Sequence, residues 1–282
     1  MQQVRPPVVA GSFYPAEAAA LEAELGALMA DSAVDPATRS AVDAPPPKAL
    51  VVPHAGYIYS GAVAARAYAQ LAGGRGTIRR VLLLGPAHRV AFPGFAASGA
   101  EAFATPLGEV PVDAELRRRA LRIEGVELHD DAHRSEHCLE VQLPFLQRAL
   151  GSFSLLPLLV GNSTAPQAAA LLRALWGGEE TLIVISSDLS HYLEYRSAQR
   201  RDAATCAAIE ALDAAAIGFD DACGRLPLAG LLLAAKRYGL HAETLDLRNS
   251  GDTAGARARG VGYGAWAFRE DVGDASGEGH AH

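Results

Sequence analysis

Three apolar segments of the chain each run into a polar cluster that carries a histidine. In chain order, His54 follows residues 49–52, His88 follows residues 80–84, and Asp188 and His191 follow residues 181–186. Ligands of α/β proteins bind beyond the carboxyl ends of the strands, and neighbouring parallel strands lie about 4.8 Å apart. If these segments are neighbouring parallel strands, their end residues can converge on one ion or small substrate. Because imidazole and carboxylate groups bind iron, zinc and copper, the sequence predicts a shared polar pocket that suits a metal.

Each of these residues also has a simpler interpretation. His54 taken alone could be a turn histidine that bonds to the backbone. Asp188 and His191 are three residues apart, which on a helical turn places two side chains on one face. Alternatively, Asp188 caps a helix and His191 lies on the surface. The presence of His54 and His88 at matching strand ends favours the functional interpretation.

Cys223 precedes a strongly apolar segment, residues 227–238, which is predicted to be a helix. A thiol near a helix N-terminus has a lowered pKa, so the thiolate is more accessible there. Cys223 therefore suits a metal ligand or a redox-active thiol, although a small inert core residue is an equally good interpretation of the sequence alone.

A fourth polar cluster is centred on Glu136, His137 and Cys138. The spacing of His129, His133 and His137 resembles a zinc-binding pattern, but it lacks the His-Glu-x-x-His order of a metalloprotease helix. We expect this segment to form a wall or a supporting layer of the pocket.

The remaining pattern alternates between helices and continuously apolar strands, which is typical of a sheet covered on both faces. We predict an α/β fold with one domain over residues 1–269, built on a central, mostly parallel or mixed sheet with helices on both faces. Residues 270–282 are rich in Gly, Asp and Glu and are predicted to form a disordered tail. The predicted helices cover residues 17–30, 61–71, 113–123, 139–150, 165–176, 197–216 and 227–238.

Composition limits the classes of partner. The formal net charge of the 282 residues is −7, which argues against nucleic-acid binding. No apolar run is long enough to span a bilayer. The chain opens with no apolar targeting segment, and its 3 cysteines are widely spaced. We therefore expect no disulfide framework, no membrane partner and a cytoplasmic location.

Six motifs in order carry a resemblance to a known family. They are Ala10–Tyr14 (AGSFY), Pro53–Gly61 (PHAGYIYSG), Gly85–His88 (GPAH), Glu136–Phe145 (EHCLEVQLPF), Ser186–His191 (SSDLSH) and Cys223–Pro227 (CGRLP). Together they closely resemble the Memo family, whose prokaryotic members are called AmmeMemoRadiSam system protein B. The resemblance extends from about residue 8 to residue 268.

The resemblance implies a fold similar to that of the class III extradiol dioxygenases, which hold non-haem Fe(II) with two histidines and a carboxylate. By resemblance, His54 and His88 match the two histidine ligands, and Cys223 matches the third ligand. Asp188 and His191 match pocket residues that orient substrate or move protons. The thiolate departs from the dioxygenase pattern, so Fe(II), copper and zinc all come into consideration as the mononuclear metal.

Three functions follow as hypotheses. The first is a metal-dependent oxidoreductase of the dioxygenase type that acts on a small substrate. The second is a non-catalytic module that binds a peptide or a protein partner, with AMMECR-type and radical SAM proteins as the partners that the family resemblance implies. The third is a zinc hydrolase with Asp188 or Glu136 as general base.

Overall fold

Short apolar strands and intervening helices alternate along the chain, and the computed structural model describes residues 3–33 and 45–270. The strands are β1 (Val4–Arg5), β2 (Ala49–Val52), β3 (Arg80–Pro86), β4 (Phe95–Ala97), β5 (Ala102–Thr105), β6 (Gly108–Pro111), β7 (Val126–Leu128), β8 (Ser154–Val160), β9 (Thr181–Ser186), β10 (His191–Leu193), β11 (Leu240–Asn249) and β12 (Gly260–Glu270). The α-helices are α1 (Ala18–Ala33), α2 (Tyr57–Ala69), α3 (Ala114–Ala120), α4 (Asp130–Arg134), α5 (Leu143–Leu150), α6 (Ala165–Ala174), α7 (Tyr195–Glu210) and α8 (Arg225–Tyr238).

The main sheet is mixed, with four parallel strands at its centre. Its order is β10-β12-β2-β9-β3-β8-β4-β7, and β11 also pairs with β12. β2 and β3 both pair in parallel with β9, and β8 pairs in parallel with β3. β12 and β4 run antiparallel to their neighbours β2 and β8. The predicted α/β fold with a mixed central sheet is confirmed.

Both faces of this sheet are covered, which explains why the central strands are continuously apolar. All residues of β2 and β9 are buried. Successive residues of one strand enter two different cores: Leu50 and Val52 pack in one, and Ala49 and Val51 in the other. The first core includes residues of α1, α2 and α5, and the second includes residues of α3, α6, α7 and α8. A strand buried on both faces cannot show a polar and apolar alternation.

Several helix boundaries differ from the predicted ones for local reasons. The segment predicted as a helix over residues 139–150 has a 3₁₀ turn at Glu140–Gln142 and becomes α-helical only at Leu143, with Pro144 in the first turn. Proline lacks a backbone N–H and is tolerated in a first turn, where that group has no partner in the helix. The helix predicted over residues 197–216 ends at Glu210, and Leu212 then takes a left-handed conformation with φ of 51°.

The predicted helical turn that joins Asp188 to His191 is wrong. Residues 187–190 form no helix, and His191 begins strand β10. The next residue, Tyr192, has a φ of 60°. A left-handed conformation is unusual for a bulky side chain, and in this segment it accompanies the pairing of β10 with the start of β12. Asp188 and His191 therefore do not share a helix face.

A second, three-stranded sheet of order β1-β5-β6 was not predicted. Its strands have 2, 4 and 4 residues, which is too short for a periodic signal. Among the residues that the structure describes, no helix combines the length and the apolar character needed to cross a bilayer. The predicted tail lies outside the described residues, except for Glu270 at the end of β12.

A buried ion pair fastens the N-terminal segment to the body. Arg5 Nη1 donates to Glu140 Oε2 at 2.9 Å, and their side chains are 7% and 0% exposed. Glu140 also accepts hydrogen bonds from the backbone N–H groups of Val8 and Val9, and from the hydroxyl of Tyr14 at 2.7 Å. Both carboxylate oxygens are thus engaged, as a buried charge requires.

We expect Glu140→Gln to lower the free energy of unfolding by about 3–5 kcal/mol, because it leaves the buried Arg5 guanidinium without its counter-charge. Urea denaturation of the full chain measures this change. Glu22→Gln is the matched control: Glu22 pairs with Arg148 at 2.7 Å, but both side chains are nearly half exposed, so its loss should stay below about 1 kcal/mol. Similar small losses in both variants would contradict the anchoring role of Glu140.

Candidate metal centre

The ends of β2, β9 and β3 bring the predicted site residues to one edge of the main sheet. β9 lies between β2 and β3 and is parallel to both. His54, Asp188 and His88 follow these three strands, as the sequence predicted. Direct contacts confirm the convergence of the first two, because the backbone N–H of His54 donates to Asp188 Oδ1 at 2.7 Å. The rings of His54 and His88 have their centroids 5.2 Å apart.

The hydrogen-bond network around Ser186 fixes the tautomer of His54. Gln142 Nε2 donates to the carbonyl of Pro53 at 3.0 Å and to Ser186 Oγ at 2.8 Å, while Gln142 Oε1 accepts from the hydroxyl of Tyr68 at 2.8 Å. A carbonyl oxygen only accepts, so Pro53 sets which end of the Gln142 amide faces Ser186. Ser186 in turn uses its single proton to donate to the carbonyl of Cys138 at 2.7 Å.

Ser186 must therefore accept from His54. His54 Nδ1 lies 2.9 Å from Ser186 Oγ, and the proton of this hydrogen bond belongs to Nδ1, since the hydroxyl proton is already used. Nε2 is left with a free lone pair. Burial lowers the pKa of His54 to about 4, against the opposing effect of Asp188. The ring is consequently neutral near pH 7, the form that binds a metal.

Glu136 fixes His88 in the same way. Its carboxylate accepts from the backbone N–H of His88 at 2.6 Å and from His88 Nδ1 at 2.9 Å. It also accepts from the backbone N–H groups of His137 and Cys138. Burial raises the pKa of Glu136, but the contacts with His137 and His88 outweigh burial and hold this pKa far below its usual range. A carboxylate can only accept, so Nδ1 of His88 carries a proton, and its Nε2 makes no hydrogen bond to a described residue.

Cys223 lies against both Asp188 and His54. The backbone N–H of Asp188 points at Cys223 Sγ at 3.3 Å, and His54 Nε2 is 3.4 Å from the same sulfur. Burial and then the Asp188 carboxylate raise the pKa of the thiol to about 12. From its position just before α8, Cys223 was expected to have a lowered pKa. This expectation is wrong, because burial and the neighbouring Asp188 charge outweigh the effect of the helix N-terminus.

These three side chains form a ligand set that suits a metal. The ligand atoms of His54, His88 and Cys223 all lie within 4.8 Å of one another. Two imidazoles that are held through Nδ1, together with a thiol, are a donor set for iron, copper or zinc. A second set at the same spacing, His88, Glu136 and Cys138, fits less well, because Glu136 is already filled by N–H donors and the thiol of Cys138 donates to the carbonyl of Pro86.

His137 is a third histidine of the centre that the sequence did not assign to it. Its ring centroid lies 5.0 Å from that of His88 and 5.5 Å from that of His54. The sequence indicated only a pocket wall here, although the position of His137 beside Glu136 was the available signal. Ser186 and Gln142 were also missed as supports for His54, and both lie in the motifs quoted above.

The two remaining predicted site residues differ in position. Asp188 is part of the centre: it is buried, and its Oδ2 is 3.9 Å from His54 Nε2. His191 is only partly buried, and its Nδ1 donates to the carbonyl of Leu189 at 2.8 Å. Within the described residues, no hydrogen bond or ring contact joins His191 to His54, His88 or Cys223. The structure therefore brings Asp188, but not His191, into direct contact with the cluster.

We expect long-range ¹H–¹⁵N NMR spectra of the metal-free protein to show His54 in the Nδ1–H tautomer, because Ser186 accepts this proton. Ser186→Ala removes the acceptor and should mix the two tautomers. Ser32→Ala is a control, since its buried hydroxyl bonds to the carbonyl of Leu28 within α1, and it should leave the His54 signals unchanged. An Nε2–H signal for His54 in the unaltered protein would refute the assignment.

Comparisons with known proteins agree with the fold and the motifs. A solved structure of an uncharacterised protein from Escherichia coli K12 superposes with a TM-score of 0.55 at 14% identity, covering 77% of this chain and 98% of that one. At this identity the likeness concerns the fold alone.

Sequence relatives extend over nearly the whole chain. A MEMO1 family protein of Aquifex aeolicus is 36% identical and covers 93% of this chain and 97% of its own length. One of Ignicoccus hospitalis is 37% identical, with 94% and 98% covered. The family model described as Memo-like protein matches residues 5–267. The motif resemblance is thus confirmed, and the chain belongs to the Memo family.

Proposed function

We propose that the protein binds one metal ion through His54 Nε2, His88 Nε2 and Cys223 Sγ and uses it in redox chemistry on a small substrate. The observation that carries this proposal is the way both rings are held: separate hydrogen-bond networks, through Ser186 and Glu136, each accept a hydrogen bond from Nδ1 and leave Nε2 on the side of the cluster. Metal-ligating histidines are commonly held by such a bond from their other nitrogen. Two rings prepared in this way beside a thiol are not needed for packing.

The thiol bears on the choice of metal. A thiolate is softer than the carboxylate of the extradiol dioxygenases and favours copper or a differently tuned Fe(II), with zinc as a further option. When bound, such a metal supplies a redox couple or a Lewis acid. Cys223 must lose its proton to bind, and its raised pKa makes metal uptake release that proton and depend on pH.

The protein groups around the cluster have separate tasks in this proposal. Asp188 orients the backbone at His54 through its carboxylate, and the charge of this carboxylate also acts on the thiol of Cys223. His191, further out, is proposed to exchange protons with a bound substrate. Glu136 cannot act as general base while it accepts from His88, His137 and Cys138, so the zinc hydrolase hypothesis would depend on Asp188 alone.

A binding function remains the second candidate because of the surface beside the centre. Ile58, in the first turn after His54, is 68% exposed, and Tyr192, next to His191, is 67% exposed. Exposed apolar side chains at a functional edge suit a protein partner, for which we propose AMMECR-type and radical SAM proteins. Equal binding of these partners by metal-free and metal-loaded protein would favour this function over the first.

We expect protein purified without oxygen to contain about one equivalent of iron or copper by elemental analysis. His54→Ala, His88→Ala and Cys223→Ser should each reduce the retained metal at least tenfold, because each removes a donor atom. His191→Asn should retain the metal and lower oxygen consumption with a substrate. Far-UV circular dichroism checks the fold of each variant.

Full metal retention in the ligand variants would overturn the proposal. Retention of zinc alone, with no oxygen consumption, would limit the protein to non-redox chemistry.

A further inference from the structure

A cleft of about 530 Å³ opens beside Cys223. Its walls come from the segment after β3, from the end of β8 and from the residues around the start of α8. The apolar part of the lining consists mainly of Val90, Phe92, Pro93, Val160, Leu226 and Pro227. This volume lies in the range of small-molecule sites, which are typically apolar with a few polar groups that fix orientation.

Two polar side chains in the cleft form neither a hydrogen bond nor an ion pair with another described residue. The guanidinium of Arg225 lies over the ring of Phe219, 5.2 Å from its centroid, and Phe219 is 79% exposed. No carboxylate of the described residues is within ion-pair distance of Arg225, in contrast to Arg66, Arg80 and Arg148. The side-chain amide of Asn162, on the β8 side of the cleft, also makes no hydrogen bond to any described residue.

We propose that this cleft binds an organic anion, with its apolar body against the walls and a carboxylate on Arg225. A guanidinium presents two parallel N–H donors that match the oxygens of a carboxylate, and stacking on Phe219 holds its plane in place. The chain as a whole carries a net charge of −7, so its general field repels anions and the attraction must be local. Among the described residues, Arg225 is the only charged side chain that lines the cleft.

An anion site in this cleft deepens the proposed function, and it rests on that function only for the role of the anion as a substrate. Cys223 belongs both to the proposed metal centre and to the cleft wall, so a molecule held in the cleft lies against the centre. That the bound anion is a substrate depends on the proposed redox function. Binding itself does not need the metal, and the two can be tested separately.

The test uses benzoate and cyclohexanecarboxylate as probes and benzamide as the neutral isostere of benzoate. Calorimetry or ligand-observed NMR with the metal-free full chain should show that both carboxylates bind and that benzamide binds at least tenfold more weakly. Arg225→Gln should weaken the carboxylates about tenfold or more, since it removes a charge-assisted hydrogen bond. Arg225→Lys, which keeps the charge but loses the fork, should give an intermediate loss.

Arg173→Gln is the matched control, because Arg173 is an exposed arginine in the last turn of α6 and does not line the cleft; its affinity for benzoate should be unchanged. Equal binding of benzoate by Arg225→Gln, or of benzamide and benzoate by the unaltered protein, would overturn the inference. Absence of carboxylate binding in protein that retains its metal would overturn it while leaving the proposed function intact. Binding of a carboxylate by protein that never takes up metal would support the inference and overturn the proposed function.

Discussion

The parallel pairing of β2 and β3 on either side of β9 is the constraint on which the rest of the site depends. Val52 is paired with Ser186, and Leu84 with Ile185. This register brings His54 level with Asp188, which their hydrogen bond confirms. A slip of one residue would turn every side chain of the strand to the opposite face. Ser186 would then point away from His54, and the ring would lose the hydrogen bond that fixes its orientation.

The same edge of the sheet shows how buried charge is tolerated. Glu136 and Glu140 are both buried carboxylates, and each is surrounded by several N–H or O–H donors. Arg5 connects them, because its guanidinium binds Glu140 Oε2 and also donates to the carbonyl oxygens of His133 and Glu136. The N-terminal segment is therefore part of the support of His88, although it contributes no side chain to the cluster itself.

The sequence predicted those features that have a local signal, and it failed where long-range contacts decide. Continuous apolar runs marked β2, β3, β8 and β9, and the polar residues at their ends identified His54, His88 and Asp188. The left-handed Tyr192 has no residue-type signal, so the geometry of His191 was missed. The pKa of Cys223 depends on burial by segments that are distant in the sequence. The helix N-terminus next to it was the only influence on this pKa that the sequence indicated. His137 could be assigned to the centre only once the fold of the segment around Glu136 was known.

The raised pKa of Cys223 bears on what the centre is built to hold. Burial and the Asp188 carboxylate both oppose a negative charge on the sulfur. The Asp188 carboxylate favours a cation at that point, and the low dielectric of the buried site strengthens this attraction. Without a cation, Cys223 keeps its proton beside the neutral ring of His54. With one, the thiolate becomes a ligand and the repulsion from Asp188 is offset. The thiol therefore couples metal uptake to proton release, which a carboxylate ligand, already ionised near pH 7, would not do to the same extent.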